Sequence, residues 1–425
     1  MGRRSTGSKR KAERARHGQL VRRSTRDWLA RGALALGLLV MGYIGTSSSL
    51  ARVVAKIDPD RAHTMAPGNG VILADYAENA FSRAPTKDPS SWSALLARRA
   101  LIADPTVTKA LTVLGFQAQL RGDNVQADRI FSYSVGLSRR EFRPRLWAIE
   151  DAVTRGDIDG ALRNYDIALR TSNNARGILF PALSASLAEP RIRSGLIRIL
   201  ATHPVWEEQF IGFAANSGIE PEGTIALYEE GQKVGIEPGD NHRAVLVNVL
   251  VGQGKAEHAW DYFRTFRSNA RGDRSRDPEF KLQSNTRTAF DWRLGNTTGI
   301  SAVILREGQA GLLDFSVSPS TSGVLISQGQ ILSPGIYRLD GRSRGIVQKD
   351  ESRPYWTLTC KSGRDLGRVP LPNSKQNWIR FSGRFTVPQG CEAQTLALVA
   401  RSTDDIMGIN GQIERAQLLP VGNNR

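Results

Sequence analysis

The sequence predicts a multidomain α plus β chain: a single N-terminal transmembrane helix, an α-solenoid of helical hairpins, and a C-terminal antiparallel β-sandwich of jelly-roll type. Three observations carry this. An uncharged run of twenty residues stands at 32–51, helical spacing with an internal repeat fills 53–271, and from Phe290 onward the hydrophobic period drops to two. The expected divisions are a basic cytoplasmic tail at 1–27, a signal anchor at 28–51, the solenoid at 52–271, a linker at 272–287 and the β-module at 288–425.

The run reads GALALGLLVMGYIGTSSSLA between Arg31 and Arg52. About 20 apolar residues suffice for a helix to cross roughly 30 Å of hydrocarbon. Trp28 and Arg31 stand where an interfacial aromatic and a snorkelling cation belong, while Ser47, Ser48 and Ser49 weaken the outer end. In residues 1–27, ten lysines and arginines face only Glu13 and Asp27, a net +8 out of +17 for the chain. Positive charge beside a first span stays cytoplasmic, so everything after Ala51 is expected outside the cytosol. Ser49-Leu50-Ala51 also offers the small residues that a signal peptidase needs. The long basic leader and the length of the run favour a retained anchor, and both readings export the bulk of the chain.

The composition, 40% hydrophobic and 23% charged, is that of a globular chain with room for two or three domains. The positive charge beyond the leader is spread without dense blocks, which implies mild attraction to anionic polymers and gives no ground to expect nucleic acid. Cys360 and Cys391 are the two cysteines, and in an oxidising space they are most simply a disulfide pair. The five histidines, His17, His63, His203, His242 and His258, keep no metal-ligand spacing. No metal and no cofactor is expected.

In the helical region Gly122, Ala127, Phe131 and Ser134 recur 34 residues later as Gly156, Ala161, Tyr165 and Ala168. A small residue at Ala127 lets two helices approach, and Phe131, one turn on, fills the groove between them. Gly122 and Gly156 mark the turn. A third copy, Gly254, Ala259 and Phe263, keeps the internal spacing but stands out of phase, so the stretch between must hold irregular units. Weaker hairpin candidates lie in SWSALLARRALIADP, SGLIRILATHP and GTIALYEEG, and two short helices are expected in the segment holding Asp58-Pro59 and Ala66-Pro67. Four to six hairpins are expected in all. Phe131, Tyr165 and Phe263 read as inter-helix packing rather than ligand contacts. GQGK at 252–255 lacks the first glycine and the Ser or Thr of a phosphate loop and reads as the repeat turn.

Residues 267–287 are polar and charged with few apolar anchors, the composition of a solvated linker. Their Arg271-Gly272-Asp273 is a tripeptide common by chance. Candidate strands follow at 290–294, 301–307, 311–318, 323–329, 335–345, 355–362, 377–388, 393–402 and 411–421. In YWTLTC, Trp356, Leu358 and Cys360 share one face, which should be the core and should bring Cys360 within reach of Cys391.

The period and positions of the repeat resemble the tetratricopeptide family, whose length is about 34 residues. Leu114 and Gly115 occupy that family's leucine and small-residue slots, and Ala148 and Ile149 depart from them in the next copy. The β-module resembles the galactose-binding-like jelly rolls, which include many carbohydrate-binding modules, through its aromatic strand from Trp378 to Phe385 before Val387-Pro388 and its closing strand GQIERAQLLPV. No calcium ligands carry over. Anchor, repeats and module together resemble bacterial cell-envelope proteins that accompany exopolysaccharide or surface-glycan export. The resemblance implies a single-pass inner-membrane protein with its bulk in the periplasm.

It also implies envelope or polysaccharide-export proteins as partners of the solenoid, glycan as a partner of the jelly roll, and aromatic stacking on sugar, for which Trp292, Tyr337, Tyr355 and Trp378 are the candidates. Large aromatics dominate sandwich interiors, so each is also a core candidate. No catalytic constellation stands out, and the expected function is a non-catalytic scaffold. Two alternatives remain. One is a glycan-acting hydrolase or lyase using carboxylates such as Asp314, Asp340, Asp350 and Glu351. The other is a plain sugar-binding module held at the membrane.

Overall fold

The computed structural model describes residues 25–138, 141–283, 286–307 and 310–422. The basic leader before Thr25, with His17, lies outside the described residues. Fourteen α-helices and ten strands are formed among the described residues, and the chain divides into two compact units, residues 1–172 and 173–425.

Small residues set the helix packing in the first unit. It holds α1 (Thr25–Val54), α2 (Pro59–Met65), α3 (Gly70–Arg83), α4 (Trp92–Ala103), α5 (Thr108–Leu120), α6 (Asn124–Leu137), α7 (Phe142–Thr154) and α8 (Ile158–Thr171). The part of α1 from Trp28 to Val54 is long and apolar enough to cross a membrane, and its most apolar window is wholly unburied. The hydroxyls near its outer end do not break it. Thr46 and Ser47 donate to the carbonyls of Gly42 and Ile44 at 2.8 and 3.1 Å, which satisfies them within the helix. Past them, Ala51 and Ala55 pack against Ala62, Ala66 and Ile72. The helix runs unbroken through Ser49-Leu50-Ala51, and Ala51 is fully buried.

Asp58 caps α2 by accepting from the Arg61 N–H at 3.0 Å, with Pro59 in the first turn. Asn69 caps α3, three residues after the Ala66-Pro67 start read from the sequence.

The repeat is visible in the turns. Gly122 and Gly156 have φ of 80° and 71°, a left-handed conformation that glycine adopts without cost. The next N–H, of Asp123 or Asp157, donates back to Ala118 or Ala152 at 3.0 and 2.8 Å, and each aspartate then caps the following helix. Phe131 is fully buried between hairpins, stacked on Trp147 of α7 at 4.9 Å and edge-on to Phe116 of α5 at 5.1 Å. Its ring fills the space at Gly115, where an added Cβ would lie 2.7 Å away. Lys109 Nζ on α5 reaches Asp75 on α3 at 2.6 Å, 34 positions earlier.

The second unit holds α9 (Ala175–Ala185), α10 (Pro190–Leu200), α11 (Glu207–Ser217), α12 (Pro221–Gln232), α13 (Asp240–Gly252) and α14 (Ala256–Phe266). The irregularity expected here is present: α9 contains Pro181 and runs into a 3-10 turn at Ser186–Ala188. The GQGK stretch is a helix turn, with Gly254 at φ 85° and the Lys255 N–H donating to Leu250 at 2.9 Å.

The sandwich follows in the same unit. Its strands are β1 (Arg293–Leu294), β2 (Ile300–Glu307), β3 (Ala310–Val317), β4 (Gly323–Gln330), β5 (Gly335–Arg344), β6 (Tyr355–Cys360), β7 (Asp365–Pro370), β8 (Ile379–Val387), β9 (Gln394–Ala400) and β10 (Ile409–Pro420). The first sheet has the order β1-β4-β9-β6-β7 and the second β2-β3-β10-β5-β8; every pairing is antiparallel. Trp356, Leu358, Phe315, Leu339, Phe381, Phe385 and Leu398 are among the buried residues between them. Cys360, at the end of β6, is bonded to Cys391 ahead of β9. Strand β7 escapes the sequence reading because Asp365, Gly367 and Arg368 interrupt its pattern. It is an edge strand paired with β6 alone, so it needs only one continuous partner.

Within residues 272–287, the stretch from Ser275 to Phe280 is packed on the sandwich rather than the solvated linker that its composition suggests. Ser275 exchanges bonds with Leu418, the Ala416 N–H donates to Pro278, and the Gln328 side chain bonds both backbone groups of Arg276. The Asp277 carboxylate accepts from the Lys281 and Leu282 N–H groups, burial nevertheless pushing its pKa up. Phe280 is fully buried against Trp292. Ser275 in the strap and Gln328 on β4 are partners for backbone that would otherwise be buried unpaired.

Candidate functional site: the outer face of the second sheet

Period two decides which side chains of the second sheet face outward. On β5 the inward set is Tyr337, Leu339, Gly341 and Ser343, and the outward set is Arg338, Asp340, Arg342 and Arg344. On β8 Phe381 and Phe385 face inward and leave Arg380, Ser382 and Arg384 outside. A bulge between Ile413 and Arg415 keeps β10 in phase, so that Gln412, Arg415 and Gln417 face the same side.

Register then builds rows across the strands. Gln412 stands between Asp314 and Arg344, Arg342 between Arg415 and Arg380, Asp340 between Gln417 and Ser382, and Arg338 opposite Arg384.

The first row is a continuous hydrogen-bond ladder. Arg344 Nε donates to Gln412 Oε1 at 2.7 Å, and Gln412 Nε2 donates to Asp314 Oδ1 at 2.6 Å. At its β8 end the Arg344 guanidinium lies 4.7 Å from the centre of the Trp378 ring, with that of Arg342 at 5.8 Å. A cleft of about 480 Å³ opens on this row, lined among others by Asp314, Ser316, Arg344, Lys375, Asn410 and Gln412. Fixed donors and acceptors beside a half-buried indole, open to solvent, can bind a hydroxyl-rich chain.

In the other rows Arg338 pairs with Asp340 at 2.6 Å and Arg342 with Glu414 at 3.0 Å, and Ser382 donates to Asp340 at 2.8 Å. Arg415 donates to the Gln417 side chain. Arg380 and Arg384 are exposed and have no carboxylate partner among the described residues.

The four aromatic candidates do not come together. Trp292 and Tyr337 are corrected to core residues. Trp292 donates from Nε1 to the Asp277 carbonyl and packs against Trp356, while Tyr337 is buried with its hydroxyl on the Ser333 carbonyl. Neither can stack on a sugar without opening the sandwich. Tyr355 lies on the outer side of the first sheet, its ring covered by Arg368 and Arg401 at 4.9 and 4.7 Å. Trp378 alone of the four borders the cleft face.

Of the alternative carboxylates, Asp314 is held by Gln412, Asp340 by Arg338 and Ser382, and Asp350 by Arg353 at 2.8 Å; Glu351 lines a separate cleft with Asp404 and Asp405. The sequence reading missed Gln412, Arg344 and the arginine rows. The signal was present, because Arg338, Arg342 and Arg344, like Arg380 and Arg384, stand at even spacings that a strand places on one face.

A second cleft, of about 430 Å³, lies between the α13–α14 turn and the disulfide. Lys361 Nζ crosses it to the Gly254 carbonyl at 2.8 Å, which ties helical turn and sandwich together.

No family model and no curated protein matches the chain. Solved structures similar to parts of it include several carbohydrate-binding modules. The CBM22-1 xylan-binding domain of Xyn10C from Paenibacillus barcinonensis is 13% identical, with a TM-score of 0.25, over 35% of this chain and 96% of that one. The carbohydrate-binding module CBM6cm-2 of lichenase 5A from Cellvibrio mixtus is 9% identical, with a TM-score of 0.21, over 30% and 92%. The enzymatically active domain of tailspike protein 4 from bacteriophage CBA120 is 12% identical, with a TM-score of 0.26, and this chain spans 21% of its length. A likeness at this level leaves ligand and activity to the geometry of the site.

Proposed function

We propose that this chain is a non-catalytic, membrane-held scaffold of the bacterial envelope whose sandwich binds glycan on the outer face of its second sheet. The single observation that carries the reading is the ladder Asp314–Gln412–Arg344 beside Trp378 in an open cleft. Its side chains are fixed by one another before any ligand arrives, which lowers the ordering cost of binding. α1 is the inner-membrane anchor, with the leader in the cytoplasm and the bulk in the periplasm. The disulfide fits an oxidising space. The helical hairpins, with their glycine turns and 34-residue period, are a tetratricopeptide-like solenoid that docks a protein of cell-surface polysaccharide assembly or export.

The test is affinity electrophoresis of the full chain in detergent through gels containing polysaccharide. Retardation lost on Trp378→Ala and on Gln412→Ala supports the reading. Retardation unchanged by both, or hydrolysis of the polymer by the purified chain, contradicts it.

A further inference from the structure

We propose that the glycan is acidic: a uronate polymer whose carboxylates seat along the arginine rows of this face. The inference rests on the glycan-binding reading above and adds the chemical class of the ligand.

The positive charge of this face is only partly answered within the fold: Arg338 and Arg342 have carboxylate partners and Arg344 the ladder, while Arg380 and Arg384 have no carboxylate partner among the described residues. Arg338, Arg342, Arg344, Arg380, Arg384 and Arg415 point outward from three adjacent strands, with Lys375 at the rim of the cleft, against Asp314, Asp340 and Glu414. Arginine faces arginine across both strand boundaries: Arg342 stands opposite Arg380 on one side and Arg415 on the other, and Arg338 opposite Arg384. Like charges directly opposite in a sheet destabilise it. A bound polyanion would remove that repulsion.

The chemistry of the group matches. Guanidinium presents a planar fork of donors that fits a carboxylate with two bonds. Trp378 holds two of the guanidiniums in place by cation–π contact. The rows at Arg338 and Arg342 lie four residues apart on β5, roughly 13 Å at the usual rise of a strand. That separation suits a linear chain with repeating anions better than one small anion.

A lipid surface is the less favoured source of negative charge. The arginine rows alternate with Gln417, Asp340, Ser382 and Gln412; the exposed aliphatic groups of this face, Ile336 at the start of β5 and Val303 and Leu305 on the edge strand β2, lie at its margins. Membrane-surface binding needs apolar groups among the cations.

The experiment measures binding of the full chain in detergent to polygalacturonate, alginate and hyaluronate, to the methyl-esterified neutral form of polygalacturonate, and to phosphatidylglycerol vesicles. The variants are Arg380→Gln/Arg384→Gln and Trp378→Ala, each checked for a cooperative melt, which for the arginine variant is no lower than the parent's. The expected result is binding to at least one uronate polymer, weakened about tenfold or more by the double arginine variant and by raised salt, with little binding of the ester. Equal binding of acid and ester, indifferent to the arginines but lost on Trp378→Ala, overturns the acidic inference and keeps the glycan reading. No binding to any polymer overturns both. Arginine-dependent capture of the vesicles without any polymer binding overturns both in favour of a membrane face.

Discussion

Arg342 on β5 stands directly opposite Arg380 on β8, both outward and on the same face as the ladder from Arg344 to Asp314. A sheet selected for stability alone would place opposite charges there. Arg380→Gln is therefore expected to stabilise the sandwich, by up to about 0.5 kcal/mol at low salt, while weakening polymer binding. Thermal melts at low and high salt check it: the gain should shrink as salt screens the repulsion. A variant that melts lower at both salts would show that Arg380 supports the fold.

The Cys360–Cys391 bridge closes a loop with a sequence separation of 31. Replacing both cysteines by serine is expected to cost about 3 to 4 kcal/mol in the entropy model. Denaturant titration followed by tryptophan fluorescence measures this, and a loss below about 1 kcal/mol would mean that the unfolded chain is already restricted there.

Phe131 occupies the space that a side chain at Gly115 would need. Gly115→Ala is expected to overpack the hairpin by about 1 to 3 kcal/mol. In a double-mutant cycle with Phe131→Leu the two changes should couple by more than about 0.5 kcal/mol. Additive effects would separate the glycine from the ring.

Burial alone would lower the pKa of Lys109, but its hydrogen bond to Asp75 and the charges of Asp75, Glu78 and Glu141 outweigh this and raise it above the ordinary 10.5. For a lysine raised on folding, the stabilisation is fully present below the unfolded pKa and is lost as pH rises through the folded one. Lys109→Met should thus be destabilising at neutral pH, and the gap to the parent chain should narrow above about pH 10.5. A gap independent of pH would assign the effect to packing.

Arg276 pairs with Asp291 at 2.9 Å, both side chains nearly buried, and lies 4.7 Å from the centre of the Phe263 ring on α14. Arg276→Ala leaves Asp291 buried without its cation and should cost about 3 to 5 kcal/mol. Unfolding of the Asp291→Asn/Arg276→Met chain should recover much of that loss, and no recovery would point to the strap backbone instead.

The long apolar N-terminal helix and the helices after it were legible in the sequence because their signals are local: an apolar run, glycine turns and small residues at fixed spacing. The sandwich was legible through period two, apart from β7, whose glycine and charges hide an edge strand. The packed part of the strap, from Ser275 to Phe280, was not legible because composition reports polarity, and here Ser275 bonds strand backbone, Arg276 a buried carboxylate and Asp277 local backbone. The site was half legible. Aromatic residues drew attention, yet Trp292 and Tyr337 serve the core; the arginines carried the even spacing of one strand face, but their confrontation across β5 and β8 depends on a register no single strand encodes.

The most direct measurement is arginine labelling of the full chain with phenylglyoxal, read by mass spectrometry with and without a uronate polymer. The account predicts that polymer shields Arg380, Arg384 and Arg415 while Arg368 and Arg401, against Tyr355 of the other sheet, label as before. Shielding confined to Arg368 and Arg401, or none at saturating polymer, would contradict it.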